Sequence, residues 1–173
     1  MRRQRASHGF TLVELLVVLV LIGSLVGLAV LGGGFAGPAR ELRGEAERLA
    51  GLIGLLTEEA VLDNQEYGLR IGPDHWQVFV HDSRSGRWAP LDDRPPRKLP
   101  YGVMASLEVD GQPLVLAGAK GPAVAAPQLL ILSSGELTPF RLRLVEQRAD
   151  GLRLELASDG FRLPRVETLG AGK

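Results

Sequence analysis

The chain has 173 residues, enough for one modest domain plus a terminal segment. Its 20 Lys+Arg balance 20 Asp+Glu, but Arg2, Arg3 and Arg5 precede everything else, so residues 10–173 are mildly acidic and carry no electrostatic footprint for nucleic acid. There is no cysteine, which excludes disulfides, thiolate nucleophiles and Cys-ligated zinc.

Residues 1–9 read as a short basic leader. From Phe10 to Leu31 the only charge is Glu14. As a helix this run would be about 33 Å long, close to the hydrocarbon thickness of a bilayer. Arginines before it and none immediately after it orient the N-terminus towards the cytoplasm. An ordinary secretory signal would also begin with basic residues, and "LAVLGGGFAGPA" offers small residues for its cleavage. Two features oppose that reading. The apolar run exceeds the usual signal core of about 7–15 residues. It also holds an acid, and ionisable groups cost roughly 2.5–3.5 kcal/mol at mid-bilayer. A discarded signal gains nothing from such a residue, whereas a retained helix gains if the acid finds a partner.

The stretch Gly9-Phe10-Thr11-Leu12-Val13-Glu14, after a basic leader and before an apolar helix, resembles the type IV prepilin processing site. The resemblance implies cleavage between Gly9 and Phe10 by a prepilin peptidase and N-methylation of Phe10, with the helix retained. It also implies that Glu14 serves subunit assembly, pairing with the Phe10 amine of a neighbouring subunit. The alternative at this position is a pair with its own Phe10 amine, four residues back, where an acid also suits a helix N-terminus. Gly23 and Gly27 form a GxxxG pattern, which allows helices to approach closely in a membrane.

Glycines and a proline at residues 32–38 predict a flexible break. A helix is then predicted over 39–66. Leu42, Ala46, Leu49, Ile53, Leu56 and Ala60 step by three and four, and Leu52 and Leu55 widen the stripe. Glu41, Arg43, Glu47, Arg48, Glu58 and Glu59 fall largely away from it. The stripe is expected to dock the following domain onto its own helix, with a partner helix as the alternative.

Over residues 67–173 the period changes to two. "YGLRI" and "WQVFV" flank a tight "GPDH" turn. Later come "VMASLEV", "PLVL", "QLLIL", "PFRLRLVEQ", "LRLELA" and "FRL", punctuated by Asp110-Gly111, Ser133–Gly135, Asp150-Gly151 and Asp159-Gly160. Such turns predict one antiparallel sheet or two small ones. "RWAPLDDRPPRKLPYG" and "AGAKGPAVAAP" read as loops. The fold class is therefore α+β, a long N-terminal α-helix packed against an antiparallel β-sheet domain. The hairpins "LLILSSGELTPFRLRL" and "LRLELASDGFRL" are similar to those of the H-type minor pseudopilins of type II secretion. The fold implied is pilin-like.

A search for chemistry nominates no catalytic residue, no cofactor site and no metal site. His75 and His81 lie six apart beside Asp74 and Asp82, without a third convergent ligand. Ser133-Ser134-Gly135 reads as a turn, and Gly118–Gly121 lacks P-loop spacing. Asp92-Asp93 and Glu58-Glu59 look solvated. "RPPRK" (Arg94–Lys98) reads as a solvated proline-rich loop, with an acidic partner as the alternative.

The resemblance implies a single-pass inner-membrane protein with a periplasmic domain, a minor subunit of the type II secretion pseudopilus. Implied partners are other pseudopilins through helix packing, the prepilin peptidase and the inner-membrane secretion platform; room is left for the secretin or secreted cargo. A minor type IV pilin is the close alternative. A membrane-anchored periplasmic enzyme or binding module is the alternative of another class.

Overall fold

The computed structural model describes residues 12–33, 37–118 and 126–170, with backbone alone for 28–33. Gly9 and Phe10 lie outside the described residues, as does most of the "AGAKGPAVAAP" loop. The chain divides into two units, Met1–Gly37 and Pro38–Lys173.

In the first unit a helix, α1, runs from Leu12 to Gly33. Its leucines and alanine are good helix formers, and no proline interrupts it. Described side chains from Leu12 to Val26 are all exposed. Ser24 satisfies its hydroxyl by donating to the Val20 carbonyl at 2.8 Å. Among the described residues no helix is long and apolar enough to cross a membrane. The described side chains, Leu12 to Gly27, span only about 24 Å. The helix continues through Gly32 and Gly33, which the expected break at 32–38 had excluded.

In the second unit α2 covers Gly37–Asp63, so Gly37 and Pro38, expected within the break, are helical. Pro38 is tolerated because the first turn needs no amide donors. The helix ends three residues before the expected 66. Asn64 adopts φ 49° and the Gln65 amide donates to the Ala60 carbonyl at 3.1 Å, a left-handed cap that satisfies an otherwise orphaned acceptor.

Among the described residues ten strands follow: β1 (Tyr67–Ile71), β2 (His75–Asp82), β3 (Arg87–Pro90), β4 (Arg97–Lys98), β5 (Val103–Val109), β6 (Gln112–Leu114), β7 (Leu129–Ile131), β8 (Phe140–Glu146), β9 (Arg153–Ser158) and β10 (Arg165–Thr168). They make two antiparallel sheets, ordered β3-β2-β1-β7, with β4 also on β2, and β10-β9-β8-β5-β6. The stripe Leu42, Ala46, Leu49, Ile53, Leu56 and Ala60 is buried as predicted, against Leu69, Ile71 and Val78 of the first sheet and Leu107, Leu142, Leu144, Leu154 and Leu156 of the second. Leu52 packs at its margin, but Leu55 is exposed and does not widen it. On the opposite face of the first sheet the Arg70 guanidinium lies 4.7 Å over the Phe79 ring.

The hairpin turns follow the glycines. Asp110 and Gly111 both take positive φ (50° and 77°), as a two-residue turn between paired Val109 and Gln112 requires. Two segments depart from expectation. The loop beginning at Arg87 contains strands β3 and β4, because β2 is long enough to pair with both. "FRL" is not a strand; the final strand starts at Arg165. Asp159 Oδ1 accepts from the Phe161 and Arg162 amides at 3.1 and 2.9 Å, and Ser158 Oγ donates to the Arg162 carbonyl at 2.7 Å. Those backbone groups are therefore taken by the turn and do not join a ladder.

The Arg162 amide first, and then that of Phe161, hold the Asp159 carboxyl below its ordinary range. A depressed folded-state pKa contributes stability that is present above the unfolded value, about 3.9, and lost as pH falls through the folded value. The Phe161 and Arg162 amide resonances should therefore titrate together on acidification below about pH 4. Asp159→Ala should produce the same shifts at neutral pH. Amides that ignore both changes would show the turn is held otherwise.

Candidate assembly surfaces

Two sets of residues present themselves, one on each unit. On α1, Glu14 sits in the first turn and is exposed, where an acid favourably meets the positive end of the helix. Gly23 and Gly27 lie about one turn apart on one flank, and a Cβ placed at either would meet nothing within 4 Å. That flank is open to close approach by another helix.

On α2, sequence reasoning missed the central residue. Glu45 follows Leu42 by three positions, so it lies on the apolar stripe and is 7% exposed. Its carboxylate accepts from Trp76 Nε1 at 3.1 Å and from Arg97 Nε at 2.8 and 3.0 Å, with Arg48 Nε at 3.6 Å. Trp76 pairs with Arg97 across β2 and β4, so one acid ties the helix to both strands. The available signal was an acid at a core position of the heptad, one turn from an arginine.

The "RPPRK" segment is correspondingly not a freely solvated loop. Arg97 goes to Glu45, and Arg94 Nη2 goes to Glu59 Oε1 at 2.7 Å. Glu45 and Glu59 lie about four turns apart on α2, so the segment is strapped to the helix at both ends. Glu59, expected to be solvated, is partly buried there. Burial first, then Glu59 and Asp63, push the nearby Tyr67 phenol above its ordinary pKa.

The histidines are brought to one strand but not to one site. His75 Nδ1 is 2.8 Å from Asp74 Oδ1 at one end of β2. At the other end His81 Nδ1 lies 3.6 Å from Glu66 Oε2, its ring 5.0 Å from that of Trp88. Six residues of strand separate them by about 20 Å. Among the described residues no group of three or more His, Asp or Glu could hold a metal ion. On the outer face of the second sheet Arg143 bonds Glu155 and Glu108 at 2.9 and 3.1 Å, and the Glu155 bond chiefly raises its pKa. Partly exposed ladders of this kind contribute modestly to stability.

Residues 45–160 match the family described as Type II transport protein GspH. The chain belongs to the GspH family. Residues 4–30 separately match the prokaryotic N-terminal methylation motif. Type II secretion system protein H of Pseudomonas aeruginosa is 60% identical over 168 residues, covering 94% of this chain and 97% of that protein. The Klebsiella pneumoniae protein of the same name is 36% identical over 171 residues, covering 92% and 97%. Among solved structures, the minor pseudopilin EpsH from the type 2 secretion system of Vibrio cholerae aligns with TM-score 0.59 at 25% identity, covering 76% of this chain and 99% of that one. The solution structure of E. coli GspH shares the fold, with TM-score 0.59 at 22% identity over 79% and 94%. This GspH-family chain is thus an H-type minor pseudopilin of type II secretion, and the type IV pilin alternative gives way. Its α+β architecture is the pilin-like one.

Proposed function

We propose that this pseudopilin is cut between Gly9 and Phe10, methylated at Phe10, stored in the inner membrane by the helix from residue 10, and then drawn into the periplasmic pseudopilus. Its C-terminal domain lies in the periplasm. Other pseudopilins, minor and major, meet it through α1, with Gly23 and Gly27 admitting a neighbouring helix and Glu14 meeting that subunit's Phe10 amine. The prepilin peptidase and the secretion platform act on it in turn. The observation that carries this reading is Glu14 itself: one acid, in the first turn of an otherwise uncharged apolar helix, within the matched methylation motif.

Mass spectrometry of the protein from membranes tests the first step. The expected mature N-terminus is methylated Phe10. Gly9→Val should leave the leader attached, because a peptidase that accepts glycine before the cut has little room for a branched side chain. A mature chain starting near residue 35, or normal cleavage of the valine variant, would remove the basis for the proposal.

A further inference from the structure

Beside the Glu45 cluster lies an open pocket of about 420 Å³, lined by Glu41, Gly44, Arg48, Arg97, Lys98 and Tyr101, with Glu45 at its back. Gly44 leaves its floor open, since a Cβ there would meet nothing within 4 Å. Tyr101 on the lip is fully exposed. Both arginines reach Glu45 through Nε. Among the described residues their Nη groups make no hydrogen bond, and the two side chains remain 44% and 59% exposed for Arg97 and Arg48. Glu45, with its side chain only 8% exposed, therefore orients two guanidinium groups from behind.

We propose that Arg48 and Arg97, oriented by buried Glu45, form a recognition pocket for a carboxylate-bearing segment of a neighbouring pseudopilus subunit. Guanidinium groups present paired N–H donors that match carboxylate geometry, and pre-orientation removes part of the ordering cost of binding. Lys98 adds positive charge at the rim, opposed by exposed Glu41, so an acid on the partner improves the local balance. Tyr101 supplies an aromatic surface for the partner's backbone or side chains. The source of the acid rests on the assembly reading above; the pocket's preference for carboxylates does not.

The Trp76 indole N–H, bonded to Glu45, reports on the site directly. Full-length isotope-labelled protein in detergent micelles would be titrated with an acetylated, amidated oligoglutamate peptide, and oligolysine would serve as the control probe. The expected result is a saturable shift of the Trp76 indole signal with oligoglutamate alone. Affinity should weaken at least about tenfold when salt rises from about 0.05 to about 0.5 M, because exposed charge pairs are screened. Arg48→Gln should weaken it about tenfold, Arg48→Lys should recover part of the loss, and Arg153→Gln on the second sheet should change nothing. A Trp76 signal that does not move, or unchanged affinity in Arg48→Gln, overturns the assignment. Such a failure leaves the Glu14 proposal untouched, since the titration involves no filament.

Discussion

Replacing Glu14 with glutamine should leave cleavage at Gly9 and methylation of Phe10 intact while nearly abolishing incorporation into the pseudopilus. The proposed cleavage would create a cationic amine at the head of an apolar helix. Drawing that amine into a helical bundle without a partner costs roughly 2.5–3.5 kcal/mol on membrane-insertion scales, about two orders of magnitude in an equilibrium. A carboxylate at the right height offsets the cost only in one axial register, so it specifies position as well as attraction. Glutamine keeps the shape and hydrogen-bonding capacity but removes the charge. Shearing filaments from cells producing the variant, and comparing sheared with membrane-retained protein, measures the effect. Normal incorporation would eliminate the pairing role. Co-expressing variant and native subunits separates the two possible partners of Glu14. A pair within one chain makes the defect follow the variant subunit alone, whereas a pair between chains also impairs its native neighbours.

The second large effect lies in the globular unit. Glu45→Ala should destabilise it by roughly 2–3 kcal/mol, lowering the melting temperature by about 5–10 °C. The substitution strands the Trp76 indole N–H, in a side chain only 5% exposed, and unpairs Arg97. The loss is smaller than for a wholly buried pair because Arg97 is 44% exposed and water screens it. Glu45→Gln keeps an acceptor for the indole and should recover part of the loss. Thermal unfolding of the full chain in micelles, followed by near-ultraviolet circular dichroism, distinguishes the variants. A native melting temperature for Glu45→Ala would show that the strap and sheet stay docked without this acid.

The order of these elements was largely legible because local chemistry dominates them. The spacing of Leu42 to Ala60 requires one helical face, and alternation in "YGLRI" and "WQVFV" requires strands. Errors gathered at ends and edges. Gly32, Gly33, Gly37 and Pro38 are poor helix residues in isolation, yet the helices on either side extend through them. The "FRL" run has strand-like alternation, but Asp159 and Ser158 had already claimed its backbone. β3 and β4 could not be seen because a strand of four or two residues exists only where a longer neighbour offers an edge.

Sequence by itself determined the prepilin-like N-terminus and the pilin-like order of helix before sheet. Both are written in consecutive residues: an acid in an apolar run, and a change of hydrophobic period from about 3.6 to 2. Tertiary structure alone decided which charges are structural. Glu45 and Arg97 are separated by 52 positions, and Glu59 and Arg94 by 35. Whether an acid is solvated or buried depends on what folding brings beside it, and no local pattern encodes a partner that distant.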